Sequence, residues 1–205
     1  MLKLLFISEF SESFTNKVLK GIVNYSSQRG DWSICRMPSH YKNTVGIEGV
    51  LKWAKGWGTN AVIGTFENKD EVCALKNEGI AVVAQDYKKR FDNVPNLTAD
   101  YLGTGRMAAS YFIDRGFQNF AFFGLNDVCW SDERCEGFKK EVEGKGFGKT
   151  FFKYILQDIN HFWFYEAKSL SEWLKGLPKP IGIMTCDDNQ SSLLIEACRS
   201  AGIHI

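Results

Sequence analysis

Short runs of apolar residues alternate along the chain with longer segments in which apolar residues recur every three or four positions. The runs predict buried β-strands, and the longer segments predict amphipathic helices. Several helical segments are followed by a glycine, which commonly ends a helix. Strands are therefore predicted at residues 2–7, 32–37, 61–66, 80–84, 119–124, 150–155 and 180–185, and helices at 11–29, 47–55, 69–77, 100–115, 131–144, 162–175 and 189–201.

This regular alternation predicts an α/β fold with parallel sheets that carry helices on both faces. The first four strand–helix units are expected to form one sheet, and the strand at Phe120 is expected to open a second. We therefore predict two lobes, residues 1–118 and 119–205. No Pro/Gly/Ser-rich linker separates them, so the chain is expected to cross between lobes at a hinge.

The composition of the chain argues against several classes of function. The chain has 25 basic and 24 acidic residues, and this balance argues against DNA binding by the segment itself. Its six cysteines form no CxxC pair and its three histidines are scattered, so neither a metal nor another cofactor is expected. No apolar stretch approaches the roughly 20 residues that span a bilayer, and the N-terminus does not look like a signal peptide. A cytoplasmic location without membrane partners is the expectation.

Polar residues follow the predicted strands, at the edge of a parallel sheet where ligands usually bind. Carboxylates and guanidinium groups hydrogen-bond to hydroxyls, and aromatic rings cover apolar C–H faces, so this mixture suits a sugar. The residues concerned are Ser8, Glu9, Glu67, Gln85, Asp86, Asn126, Asp127, Arg134, Asp187, Asp188 and Asn189, with Phe14, Tyr87 and Trp130 nearby.

Each of these residues also has a purely structural interpretation. Asp187 or Asp188 caps the last helix in one alternative, and Ser131 caps the helix before it. Phe14 is equally consistent with a core position, and Trp130 with packing at a lobe edge. The run Lys88-Lys89-Arg90 is expected to be a solvated loop.

The segment Gly103–Ala108 matches the dinucleotide pattern GxGxxA, but its helix has already begun at Asp100, so it does not directly follow a strand. Its small residues are expected to allow close helix packing instead. The chain contains no GxSxG elbow, HExxH motif or P-loop, and we expect no enzyme activity.

Several stretches resemble the type I periplasmic-binding-protein fold in the form used by LacI-type regulators. The likeness rests on residues 79–86, on Thr98-Ala99-Asp100 leading into a helix, on residues 115–124, on Arg134-Cys135-Glu136-Gly137-Phe138, and on Asp187-Asp188. Within that fold the chain is most similar to xylose operon regulators, which carry an AraC-type DNA-binding domain after the sugar-binding domain. The resemblance implies two Rossmann-like lobes, of which the second is incomplete in this chain.

The resemblance also implies a sugar site between the lobes, to which it assigns Ser8, Glu12, Phe14, Asp86, Arg134 and Asp187; Trp130 is added from its place after the fifth strand. The implied partners are a small sugar, with a pentose and above all D-xylose in first place, DNA through a C-terminal domain outside this chain, and a second copy of the protein. The alternatives are a free sugar-binding protein of a transport system and an enzyme of nucleotide-sugar metabolism, for which no phosphate loop is found.

Overall fold

A computed structural model describes residues 1–8, 13–157 and 167–205. The chain forms two compact units, Met1–Thr98 and Ala99–Ile205. The second unit begins earlier than the predicted crossing at residues 118 and 119, because the helix that follows Asp100 packs along a helix of the second unit. Glu12 and the start of the predicted helix at 162–175 lie outside the described residues.

The first unit is built on a parallel sheet of five strands in the order β2-β1-β3-β4-β5. The strands are β1 (Leu2–Ile7), β2 (Trp32–Met37), β3 (Ala61–Gly64), β4 (Ala81–Gln85) and the short β5 (Asn96–Leu97), and the helices are α1 (Ser13–Ser26), α2 (Ser39–Trp57) and α3 (Lys69–Asn77). One face of the sheet packs against α2 and α3, through residues such as Leu5, Ile7, Val50, Val62 and Leu75. The prediction that the first strands share one sheet is confirmed.

The second unit contains a separate parallel sheet of three strands in the order β7-β6-β8. The strands are β6 (Phe120–Leu125), β7 (Phe151–Leu156) and β8 (Gly182–Thr185), and the helices are α4 (Tyr101–Asp114), α5 (Cys129–Gly144), α6 (Ala167–Gly176) and α7 (Asp188–Ser200), with a short 3₁₀ helix at Gly148–Thr150. All six residues of β6 are buried, as expected for a central strand with helices on both faces. The predicted second sheet is therefore confirmed.

The two faces of β6 carry separate cores. Phe123 packs with α6 and α7, for example with Leu170 and Ala197. Phe120, on the other face, packs with Ala109 of α4 and Phe138 of α5.

Helices α4 and α5 cross with their backbones in contact. A Cβ atom at Gly105 would overlap the main-chain oxygen of Arg134 and lie 2.7 Å from the nitrogen of Phe138, and one at Gly137 would overlap the main-chain oxygen of Leu102. Only glycine fits such a crossing. The expectation that the GxGxxA segment allows close helix packing is confirmed, and Gly137 of the RxxGF sequence is its counterpart.

Two helices begin earlier than predicted. Helix α2 starts at Ser39 rather than Ile47, because a kink at Gly46, with φ of 66°, interrupts its periodicity. Helix α5 starts at Cys129, so the alternative in which Ser131 caps it is wrong. Ser131 instead lies buried in the first turn, and its hydroxyl accepts a hydrogen bond of 2.9 Å from the Leu125 nitrogen.

The six cysteines are free thiols; two of them, Cys186 and Cys198, are buried and the other four are half-buried. Among the described residues, no group of three or more His, Cys, Asp or Glu side chains is placed to hold a metal ion. Helices in the described ranges are too short or too polar to cross a membrane.

Candidate functional site

Arg134 lies near the carboxyl edge of the second sheet, in the second turn of α5. Its guanidinium carbon is 4.9 Å from the ring centre of Tyr101 and 5.3 Å from that of Trp130. One terminal nitrogen donates to the main-chain oxygen of Cys186, just after β8. The Nε atom is buried and has no partner among the described residues. Two rings and one carbonyl therefore fix the direction of this charge.

Asp187 follows β8 and caps α7, as one of the alternatives predicted. Its Oδ1 atom accepts a hydrogen bond of 2.9 Å from the Gln190 nitrogen. With its NH₂ group turned toward the carboxylate, the buried Gln190 side chain lies 2.9 Å from Oδ2. Capping of α7 therefore explains the local geometry of Asp187, and the predicted contact between Asp187 and a ligand stays a prediction.

Burial raises the pKa of Asp187 above its ordinary value. The backbone N–H groups of Gln190 and Asn189 and the charge of Arg134 oppose this rise, and Asp188 adds to it. Arg134 therefore lies near enough to Asp187 for its positive charge to favour the ionised carboxylate. A guanidinium and a carboxylate thus stand at one edge of the sheet.

The Cys186 side chain has no reactive character in this setting. Burial, and after it the charge of the neighbouring Asp187, raises the pKa of its thiol to about 12. The thiol therefore stays protonated at neutral pH, and the contribution of Cys186 to the site is its carbonyl oxygen.

In the first unit, Asp86 follows β4 and its side chain is almost wholly buried, with 1% exposed. Its Oδ2 atom accepts from Arg90 Nε at 3.1 Å and contacts Arg90 Nη2 at the same distance. Arg90 also donates to Thr98 Oγ1 at 2.9 Å. The other carboxylate oxygen of Asp86 is buried without a partner among the described residues.

The basic run was expected to be a solvated loop; Lys89 and Arg90 are exposed as expected, whereas Lys88 is half-buried. Lys88 forms an ion pair of 2.9 Å with Glu67, and Arg90 holds Asp86. The Arg90–Asp86 ion pair could not be predicted from the sequence, because it forms within a loop, where apolar and polar residues follow no regular spacing.

Ser8 and Gln85 lie in one row across the first sheet. The strand register pairs Ile7 with Gly64 and Gly64 with Ala84, so the next row contains Ser8, Thr65 and Gln85. The Ser8 hydroxyl and the Gln85 side-chain oxygen are buried and lack partners among the described residues. Buried polar atoms of this kind are uncommon and point to water or a ligand.

The remaining predicted residues differ in their placement. Phe14 is 45% exposed on α1, so the alternative that made it a core residue is wrong. Trp130 is half-buried at the start of α5, where its ring contacts Arg134. Tyr101 and Gln190, which sequence reasoning did not select, join Arg134 and Asp187 in the second unit.

One family profile and several known proteins are similar to this chain. Residues 109–205 match the profile of the periplasmic binding protein-like domain. An alignment 153 residues long, covering 71% of the chain, shows 26% identity to the xylose operon regulatory protein of Haemophilus influenzae. The matched stretch covers 39% of that regulator.

Solved structures with related folds cover nearly the whole chain. The xylose-binding transcription activator xylR matches with a TM-score of 0.73 and 18% identity, over 99% of this chain and 51% of that one. A periplasmic binding protein/LacI transcriptional regulator from Alkaliphilus metalliredigens, complexed with D-xylulofuranose, matches with a TM-score of 0.75 and 16% identity, over 98% and 74%. These matches confirm the type I periplasmic-binding-protein fold. The relatives named here are regulators and binding proteins.

Proposed function

We propose that this chain is the effector-sensing part of a sugar-responsive transcription regulator, with D-xylose as the first ligand to test. The proposal is supported by the 26% identity to a xylose operon regulatory protein across 71% of the chain. DNA binding is assigned to a domain outside this sequence. The balanced charge, 25 basic against 24 acidic residues, fits a segment that does not itself bind DNA.

The placement of Arg134 carries the proposal. A guanidinium held over two aromatic rings at a sheet edge presents its remaining donors in a fixed direction. A sugar offers adjacent hydroxyls, each able to accept from such a fork. Asp187 supplies the complementary acceptor for hydroxyl hydrogens, and the Trp130 ring supplies an apolar surface for C–H groups.

The first unit supplies the second set of proposed contacts. Ser8, Asp86 and Phe14 are described there, and Glu12 is assigned to the same set from the sequence. One oxygen of Asp86 and the hydroxyl of Ser8 lack hydrogen-bond partners among the described residues. This supports the assignment, because each can form a hydrogen bond with a hydroxyl group of a ligand. Gln85 joins them, since its side-chain oxygen is buried without a partner among the described residues.

In this proposal, contacts from both units to one sugar stabilise the sugar-bound conformation of the regulator. A ligand shifts a conformational equilibrium only by its difference in affinity for the two states. Charge-assisted hydrogen bonds contribute about 1.5–3 kcal/mol each. Two such bonds made in only one conformation are therefore enough to shift the equilibrium toward that conformation. The regulator is proposed to work in the cytoplasm as a homodimer.

The proposal is tested by calorimetric titration of the full-length protein with D-xylose, L-arabinose, D-ribose, D-glucose and myo-inositol. Saturable binding of D-xylose, tighter than that of the hexose and the inositol, is expected. A folded protein that releases no heat with any of these compounds contradicts a sugar-binding role.

A free sugar-binding protein of a transport system is the alternative, and a gel-shift experiment separates the two. The full-length protein is mixed with DNA from upstream of its own gene and of neighbouring sugar genes, with and without D-xylose. A regulator binds one of these fragments specifically and changes its affinity when the sugar is added. Sugar binding without any DNA binding favours the transport protein.

A further inference from the structure

Helix α4 contacts Arg134 at two points, one turn apart. Gly105 lies directly against the main-chain oxygen of Arg134, and the Tyr101 ring lies 4.9 Å from its guanidinium carbon. Tyr101 and Gly105 are four residues apart and therefore share one face of the helix. The same face thus contacts both the backbone and the charged end of Arg134.

The Tyr101 side chain contacts the Arg134 guanidinium and is shielded from solvent. It is only 5% exposed, at the first position of α4, directly after the cap residue Asp100. Asp100 accepts a hydrogen bond of 2.7 Å from the Gly103 nitrogen, which fixes the start of the helix and so the position of the ring. An aromatic face attracts a guanidinium most strongly where water is excluded.

We infer that Tyr101 is a positioning residue for Arg134, and that the glycine crossing at Gly105 sets the distance at which the ring meets the guanidinium. The inference rests on the proposed function, because Arg134 is the proposed sugar contact. It also gives the GxGxxA segment a role in the site. The glycines do not meet a phosphate; Gly105 brings α4 close enough for Tyr101 to hold the arginine.

The chain contains a matched control. Tyr111, also on α4, is 52% exposed, and its ring centre lies 3.4 Å from the guanidinium carbon of Arg115. Substituting Tyr111 removes the same ring from the same helix, but beside a different arginine.

The test combines a signal that needs no sugar with a binding measurement on the full chain. In the unliganded protein, the side-chain Nε–Hε NMR signal of Arg134 is expected to be shifted upfield by the ring currents of its two aromatic neighbours. Tyr101→Leu should move this signal toward the random-coil position, whereas Tyr101→Phe and Tyr111→Leu should leave it in place. Tyr111→Leu should instead move the signal of Arg115.

D-xylose affinity is measured for the same variants. We expect Tyr101→Leu to bind about tenfold more weakly, with Tyr101→Phe and Tyr111→Leu within about twofold of the parent. If Tyr101→Leu does not fold, Tyr101→Met replaces it, since methionine fills the volume without a ring.

The outcomes separate the positioning role of Tyr101 from the proposed function. An Arg134 signal unmoved by the loss of the Tyr101 ring overturns the positioning role. So does a moved signal with unchanged sugar affinity. If the parent protein binds no sugar, the proposed function fails, while the NMR signal still decides whether the Tyr101 ring lies against the guanidinium.

Discussion

Arg90 holds the buried carboxylate of Asp86, with Nε and Nη2 each 3.1 Å from the same oxygen, Oδ2. The other oxygen is buried without a partner among the described residues. Asp86 is therefore half-satisfied: one oxygen is bound by the protein, and the second is left for water or a ligand hydroxyl.

Replacing Arg90 with alanine should lower the free energy of unfolding by about 1–2 kcal/mol, because a buried carboxylate loses a charged hydrogen-bond donor. Lys89→Ala is the control, since Lys89 is the exposed neighbour in the same loop, and its effect should stay within about 0.5 kcal/mol. Urea denaturation of the two variants measures the difference. Equal stabilities would mean that the Asp86–Arg90 pair contributes nothing.

Gly105→Ala should destabilise the second unit by about 1–3 kcal/mol, because the new methyl group overlaps the Arg134 carbonyl and forces α4 and α5 apart. Gly21→Ala in α1 is the matched control, since a Cβ there meets nothing within 4 Å. That change should instead stabilise by about 0.4–1 kcal/mol. Thermal unfolding of both variants checks the opposite signs, and a Gly105→Ala protein as stable as its parent contradicts the close crossing.

Asp187 should make stability depend on pH in a defined direction. Burial raises its pKa, so the folded protein holds this proton more tightly than the unfolded chain does. The Asp187 contribution to the free energy of unfolding is therefore complete below its ordinary pKa of about 3.9 and is lost as pH rises through the raised value.

Asp187→Asn tests this sign while keeping the helix cap, because asparagine caps as well as aspartate. The stability of the parent minus that of the variant should fall as pH rises from about 3.5 to 7. Asp188→Asn, at the exposed neighbouring position, is the control. A difference that stays constant, or that grows with pH, contradicts the burial of Asp187. In the proposed site the same variant also weakens sugar binding at neutral pH, where the carboxylate is the acceptor.

Local sequence signals predicted much of the fold and part of the candidate site. The six apolar residues of β6 and the alternation of elements were enough to predict two parallel sheets. Asp187 caps α7, as one of the sequence-based alternatives predicts, because an aspartate directly before a helix accepts a hydrogen bond from a free backbone N–H of the first turn.

Contacts between distant residues were not predictable in the same way. Tyr101 and Arg134 are far apart along the chain, and their meeting depends on the crossing of α4 and α5. The sequence carried a hint of that crossing in Gly105 and Gly137, but not which side chains it brings together. The kink at Gly46 hid the first half of α2, because a positive φ shifts the helical period.

The central claim is that Arg134 binds a sugar, and calorimetric titration of the full-length Arg134→Ala protein with D-xylose tests it most directly. Arg115→Ala is the control, because Arg115 also lies over a tyrosine ring but outside the proposed site. We predict that Arg134→Ala weakens binding at least about tenfold while the protein stays folded, since charged hydrogen bonds contribute about 1.5–3 kcal/mol each. Arg115→Ala should leave the dissociation constant unchanged. A folded Arg134→Ala protein that binds D-xylose as tightly as its parent would contradict the account.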